Sequence, residues 1–202
     1  MSIAKLARRL RQLKPIQRLK IWYYRYILSN VKVQGDFKIL SPTLFHRLGN
    51  HQSDGQIHID SEVHLGYFPS AYFYTCHNYI DVRGGGYIIV KKRTYINNNF
   101  ALTALRHKIT IGENCFIGVN FQALNADFHG IRIKERSNYD AIKSADIDIG
   151  DDCFIGNNVI ILKGVKLGRG CVVAAGSVVT QSFEADSLIA GNPARLVRRI
   201  EQ

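Results

Sequence analysis

The sequence predicts an all-β solenoid, a parallel β-helix, and three observations carry that prediction. From Ile149 the chain divides into six consecutive six-residue units, IGDDCF, IGNNVI, ILKGVK, LGRGCV, VAAGSV and VTQSFE, opening at Ile149, Ile155, Ile161, Leu167, Val173 and Val179. The same ruler fits LRHKIT, IGENCF and IGVNFQ, opening at Leu105, Ile111 and Ile117, and more loosely IDSEVH and LGYFPS, opening at Ile59 and Leu65. Small residues recur within the units, with Gly112, Gly118, Gly150, Gly156, Gly168 or Ala174 in second place and Cys115, Cys153, Val159, Val165, Cys171 or Ser177 in fifth. A period of six matches neither an amphipathic helix nor a long half-buried strand. It matches flat faces joined by corners, three faces closing a triangular coil of about 18 residues whose first-position side chains stack inside. Glycine in second place is expected to serve corners that need permissive backbone angles. Uninterrupted registers argue against a sandwich with Ile-Gly turns.

The first element is a basic segment, residues 1–30, which holds eight basic residues (Lys5, Arg8, Arg9, Arg11, Lys14, Arg18, Lys20 and Arg25) and no acidic one. The formal net charge of +11 therefore belongs largely to this end, since the remainder carries 19 basic residues against 16 acidic ones. Ile3, Leu6, Leu10 and Leu13 have helical spacing, Pro15 interrupts, and the aromatic run IWYYRYIL follows. An amphipathic helix in peripheral contact with the anionic inner face of a membrane and a helix that caps the open end of the solenoid are both consistent with this pattern. Nucleic-acid binding is the rival reading, but no recognisable nucleic-acid module accompanies the charge, so that partner is not expected. Residues 31–202 form the solenoid unit, of which 31–56 carry no readable pattern.

The chain has 202 residues, 46% of them hydrophobic and 21% charged, enough for one compact domain and unlike a disordered or collagen-like chain. No apolar run approaches the roughly 18 residues of a spanning helix, and the N-terminus lacks a signal-like apolar stretch, so a cytoplasmic chain is expected. Cys115, Cys153 and Cys171 share the fifth position, which reads as interior packing rather than nucleophile, metal ligand or disulfide framework. Cys76 lies outside the clear units.

Between Ala123 and Ile149 the ruler breaks: 26 residues separate them, four units and two residues over. The unit ALNADF (123–128) is followed by His129 and the polar stretch GIRIKERSNYDAIKSADID, which cannot line an apolar interior. An inserted loop over 129–148, leaving a rigid scaffold, is where chemistry is expected.

The repeat, over about residues 57–202, resembles the hexapeptide pattern of left-handed parallel β-helix acyltransferases. The ending AAGSVVTQSF…AGNPARLVRRI resembles the last coil and exit segment of their sugar and polysaccharide O-acetyltransferase branch. That resemblance implies a left-handed coil, a homotrimer, acetyl-CoA as co-substrate and a saccharide hydroxyl as acceptor, in capsular, exopolysaccharide or lipopolysaccharide synthesis. The stretch Asn-Ala-Asp-Phe-His is similar to the family's N-x-D-x-H loop, which implies His129 as the catalytic base. An alcohol is barely ionised at neutral pH, and imidazole has the right basicity to remove its proton as it attacks a thioester. Asp127 is placed to hold the ring in one tautomer, as a carboxylate does in hydrolase triads.

The resemblance also points to an asparagine donor for the thioester oxygen at Asn99, or its neighbour Asn98, with a corner-satisfying asparagine ladder as the alternative role. It marks Asn157 and Ala175, one coil apart, as coenzyme contacts, with Thr180 and Gln181 at the next corner and Arg195 and Arg198 for the nucleotide phosphates. No metal is expected. His58 and His64 fall on adjacent faces, and from residue 100 onward only His107 and His129 occur, too few for the three-histidine zinc site of the γ-class carbonic anhydrases. Gly84-Gly85-Gly86 lacks the ending of a phosphate loop. N-acetylation of an amino sugar or nucleotide sugar is the same-fold alternative; a non-catalytic hexapeptide scaffold is the alternative of another class.

Overall fold

The computed structural model describes residues 15–48 and 55–201. The apolar spacing at Ile3, Leu6, Leu10 and Leu13 lies outside the described residues. The chain enters as helix α1 (Pro15–Tyr23), continues through one π-helical turn (Tyr24–Leu28), and then winds into a left-handed parallel β-helix.

Six coils follow one another, each with three short strands. Coil 1 holds β1 (Val33–Gln34), β2 (Lys38–Ile39) and β3 (Thr43–Leu48); coil 2 holds β4 (Gln56–Ile59), β5 (His64–Leu65) and β6 (Asn78–Arg83). Coil 3 holds β7 (Tyr87–Val90), β8 (Tyr95–Ile96) and β9 (Ala101–Leu105); coil 4 holds β10 (Lys108–Ile111), β11 (Phe116–Ile117) and β12 (Gln122–Leu124). Coil 5 holds β13 (Ile147–Ile149), β14 (Phe154–Ile155) and β15 (Ile160–Leu162); coil 6 holds β16 (Lys166–Leu167), β17 (Val172–Val173) and β18 (Val178–Val179). Strands in the same place of each coil pair in parallel, giving three sheets that are the walls of a triangular prism: A from the first strands, B from the second and C from the third. A hairpin of β19 (Ser187–Gly191) and β20 (Ala194–Arg199), antiparallel to each other, extends sheet B past the last coil.

The first-position residues form the core as the ruler requires. Ile59, Leu65, Ile111, Ile155, Ile161 and Val173 are fully buried, and Ile117, Ile149, Leu167 and Val179 join them in one continuous cluster. Leu105 departs from the ruler: it is buried outside that cluster, and Leu102, which pairs with Ala123, takes the interior place. Each aliphatic side chain so buried contributes about 1.5–3 kcal/mol of transfer free energy. The fifth-position residues are inside as well, with Cys115, Cys153, Cys171, Val159, Val165 and Ser177 all buried. The thiols of Cys153 and Cys171 donate to the carbonyls of Gly168 at 3.4 Å and Glu184 at 3.2 Å. Cys76, unplaced by the ruler, is also buried and free, and burial raises its thiol pKa.

The second-position glycines do not serve as expected. Gly112, Gly118, Gly150, Gly156 and Gly168 have ordinary backbone angles; what they supply is room between coils. A Cβ on Gly156 would lie 2.6 Å from the backbone nitrogen of Ala175, and one on Gly168 2.3 Å from that of Ala185. The permissive angle is needed two residues later, at the fourth position. Asn99, Asn114, Asn120, Asp152 and Asn158, with Gly164, Gly170 and Gly176, all have φ between +55° and +80°. Asparagine, aspartate and glycine are the residues that enter this region most readily, so in the two regular arrays the fourth position is a column of Asn, Asp and Gly; in the earlier coils Glu62 and Arg93 hold the same angle, with φ +61° and +58°.

The winding is broken where the sequence predicts. Ile109 pairs with Ile147, 38 residues on, whereas Asp148 pairs with Lys166, 18 residues on. The insertion lies between Leu124 and Ile147, slightly earlier than the expected 129–148, because Ile147 and Asp148 already belong to β13. A second insertion, residues 66–77 between β5 and β6, went unread in the sequence. Residues 31–48, equally unread, are coil 1.

Candidate active site

The insertion leaves the corner between sheets C and A as a closed neck. Ala126 and Ser144 form an antiparallel bridge, the N–H of Asp127 donates to Lys143 O at 3.1 Å, and that of Ala145 donates to Asn125 O at 3.0 Å. The next coil ties the neck down, since Lys163 Nζ makes a short ion-paired hydrogen bond to Asp127 Oδ1. Farther out, Arg106 Nη2 donates to Tyr139 O at 2.9 Å, and its guanidinium lies 4.3 Å from the centroid of the Tyr139 ring. The loop is therefore folded back on the prism, not extended from it. Two buried side-chain polar atoms, Asn125 Nδ2 and Asp127 Oδ2, have no partner among the described residues, and both sit at this neck. Native proteins leave few such atoms, and each calls for an explanation.

His129 stands just beyond the neck, exposed. Its Nδ1 lies 3.0 Å from the carbonyl oxygen of Arg136. A carbonyl only accepts, so Nδ1 carries the proton and the neutral ring presents Nε2 as a base. Two local features put that carbonyl in reach. Gly130 is buried, and a Cβ there would lie 2.3 Å from Glu135 O, so only glycine lets the 130–136 turn close this tightly. Phe128 has φ +60°, a region costly for a bulky residue, and the Arg83 guanidinium sits 5.3 Å from its ring centroid.

Asp127 does not play the part expected of it. Its first carboxylate oxygen is engaged by Lys163, and the atom that fixes the His129 tautomer is the Arg136 carbonyl. Asp127 instead anchors the loop to coil 5.

Asn99 lies at a different corner, between sheets B and C. Its Nδ2 donates to Asn120 Oδ1 at 2.7 Å, and Asn120 Nδ2 donates to Asn158 Oδ1 at 2.7 Å, a ladder along three successive coils. The ladder borders a groove of about 350 Å³, also lined by Tyr72, Gln122 and Ile160. One chain does not bring Asn99 and His129 together; sheet C separates them. Asn98 is buried and structural, donating to Tyr67 O at 3.0 Å and Ala71 O at 2.9 Å and so holding the 66–77 insertion.

Asn157 and Ala175 do stack, one coil apart at the corner between B and C, with the N–H of Gly176 donating to Asn157 O at 2.8 Å. Asn157 Oδ1 accepts from the Val119 N–H at 3.0 Å, and Asn157 and Ala175 are exposed. Thr180 and Gln181 are exposed at the corner between C and A, and Arg195 and Arg198 on β20 are exposed beyond the last coil.

Gly130, Arg136, Lys163 and a polar cluster on sheet C carry no signal in the sequence that marks them. In that cluster His46 Nδ1 lies 2.9 Å from Asp81 Oδ1, Arg83 Nε donates to Asp81 Oδ2 at 2.5 Å, and the His46 and Tyr79 rings stack at 6.2 Å. Coil 1 carries no hexad signature, so nothing in the sequence could have set His46 beside Asp81.

Comparison with known proteins finds the same repeat and the same fold elsewhere. The family description "Hexapeptide repeat of succinyl-transferase" matches residues 108–124 and 147–181, the two regular arrays on either side of the inserted loop. The chain is a hexapeptide-repeat protein with the fold of the hexapeptide-repeat acetyltransferases. Among solved structures, the hexapeptide-repeat fold here resembles the polysialic-acid-specific acetyltransferase NeuO, at 25% identity over 83% of this chain and 76% of that one, with a TM-score of 0.58. It also resembles galactoside acetyltransferase in complex with coenzyme A, at 30% identity over 60% of each chain, with a TM-score of 0.52. In sequence it is 41% identical over 93 residues to a Schizosaccharomyces pombe protein provisionally named an acetyltransferase, covering 46% of this chain and 44% of that protein. The match thus spans less than half the length of that curated relative. No group of three or more His, Cys, Asp or Glu able to hold a metal occurs among the described residues.

Proposed function

We propose that this hexapeptide-repeat protein transfers the acetyl group of acetyl-CoA to a hydroxyl of a saccharide, in the synthesis of a surface polysaccharide, with His129 as general base. The observation that carries the reading is the ring geometry: Nδ1 is held by the Arg136 carbonyl at 3.0 Å on an exposed loop, which leaves Nε2 as the proton acceptor. The named activities of NeuO and galactoside acetyltransferase support the acceptor class.

The residues present fit the coenzyme. Asn157 and Ala175 are exposed, and a Cβ built on the adjacent Gly176 meets nothing within 4 Å, so this corner is open along two coils. An extended pantetheine chain needs such a strip, with small side chains and backbone groups within reach. Arg195 and Arg198, exposed on β20, would meet phosphates, and Thr180 and Gln181 would contact the coenzyme from the other edge of sheet C.

Acetyl-CoA supplies an acyl carbon already activated as a thioester. His129 Nε2 takes the acceptor hydroxyl proton as that oxygen bonds to the acyl carbon, and the same proton goes to the departing sulfur, leaving an ester, a free thiol and a neutral imidazole. The Arg136 carbonyl keeps Nδ1–H in place while the ring is cationic. Such a base supplies about 10²–10⁴ in rate. Because Asn99 lies across sheet C from His129, its amide would serve the thioester oxygen of a site completed by a neighbouring copy, in keeping with a homotrimer.

Acceptor-dependent thiol release from acetyl-CoA, measured with oligosaccharides and with amino sugars, tests the proposal. Release with hydroxyl acceptors alone supports it, release with amines alone replaces it by N-acetylation, and coenzyme binding without release from either overturns it.

A further inference from the structure

A helix packed on a globular body usually turns its apolar side chains inward; residues 15–28 turn most of theirs outward. The inward face is mixed, with Ile21 and Tyr24 half-buried beside the polar Gln17 and Arg25. Gln17 is buried and its Nε2 donates to Phe73 O at 2.8 Å. Arg25 packs on coil 1, its guanidinium 4.7 Å from the Phe45 ring centroid and 5.3 Å from that of Phe37, and burial lowers its pKa. The outward face is apolar: Ile16, Leu19, Trp22, Tyr23, Tyr26 and Ile27 are between 44% and 70% exposed. At about 100° per residue through α1, and less through the wider π turn, these six fall on one stripe opposite Gln17 and Arg25, with Arg18 and Lys20 on its two edges.

Three features select among occupants of such a stripe. Its rings are tryptophan and tyrosine, the amphipathic aromatics that favour the membrane–water boundary. Its edges are cationic, as the stem-burying, head-exposing basic residues of interfacial helices are. The whole stretch 1–30 holds eight basic residues and no acidic one, which complements an anionic surface. No described helix is long and apolar enough to cross a membrane, so contact would be along the surface. We propose that the exposed face of residues 15–28 docks on an anionic lipid bilayer, its apolar stripe entering the headgroup boundary and Arg18 and Lys20 meeting lipid phosphates. Because the helix rests on coil 1, the bilayer meets the solenoid at that end. This inference does not depend on the acetyl-transfer reading.

Trp22 is the chain's only tryptophan and stands on the stripe itself, so its emission is a built-in probe. The full chain is titrated with phosphatidylcholine vesicles with and without phosphatidylglycerol, some carrying brominated acyl chains. The expected result is a blue shift and bromine quenching with the anionic vesicles at low salt, lost with pure phosphatidylcholine and at high salt. Leu19→Asp with Tyr26→Asp, both on the exposed face, abolishes the shift without lowering the melting temperature of the solenoid. Arg18→Gln and Lys20→Gln each weaken binding about fivefold. Unchanged Trp22 emission with anionic vesicles overturns the proposal. So does a Trp22 already shielded from iodide in the protein alone, together with a smaller assembly for the double Asp variant, which would assign the stripe to a second copy of the chain.

Discussion

Arg136 O accepts the His129 Nδ1 proton at 3.0 Å while Asp127, the residue two positions before the histidine, is engaged by Lys163 instead. The loop thus assigns to a backbone carbonyl the orienting job that a carboxylate performs in a hydrolase triad. A backbone carbonyl orients the ring, and the carboxylate fastens the loop. Asp127→Asn should therefore weaken the loop's attachment to coil 5 without removing the base proposed at His129. The expected outcome is a lower melting temperature and a fall in kcat well short of the loss in His129→Ala, read by thermal unfolding and thiol-release kinetics.

Gly130 sets the distance between the ring and its carbonyl. Because an added Cβ would meet Glu135 O at 2.3 Å, Gly130→Ala must open the turn and draw Arg136 O away from Nδ1. A drop in kcat of about 10–100-fold with an unchanged KM for acetyl-CoA is expected, since a misplacement near 1 Å costs on that order. An equal change in both parameters would argue against a positioning role.

The two glycine columns should respond differently to substitution. Gly156→Ala drives a methyl into the backbone of the next coil, 2.6 Å from Ala175 N, and is expected to destabilise by more than 1 kcal/mol, about the low end of overpacking costs. Gly164 has φ +80° with its nearest non-neighbouring atom 3.8 Å from an added Cβ, so Gly164→Asn is expected to be nearly neutral, whereas Gly164→Val is strained. Urea denaturation of the three variants separates these cases. Within the core, Ile161→Ala should cost about 2–5 kcal/mol, as it empties a fully buried site between stacked coils.

All four cysteines are buried and free. A disulfide reagent should release no thiol signal from the native protein and four equivalents after denaturation. Rapid modification of any one in the native state would contradict their packing role.

What was legible in the sequence was whatever repeats. The interior columns at Ile149, Ile155 and Ile161 and the fifth-position cysteines follow from a period of six because stacking forces identical environments one coil apart. The break after Ala123 was legible for the same reason, and so was the stacking of Asn157 on Ala175. The second-position glycines were placed correctly and explained wrongly, since a sequence shows that a side chain is absent but not whether an angle or a neighbour requires its absence. Coil 1 and the 66–77 insertion were illegible because their spacings, 26 residues from Ile39 to Leu65 and 31 from Ile57 to Ile88, are not whole multiples of six. The partner of His129 was illegible too, because a backbone carbonyl has no residue type to recognise.

The most direct test of the central claim compares wild type with His129→Ala, measuring coenzyme binding by calorimetry and acceptor-dependent thiol release in parallel. The account predicts retained binding of acetyl-CoA with turnover reduced about 10²–10⁴-fold in the variant. Equal turnover in the two proteins, with binding intact in both, would contradict it.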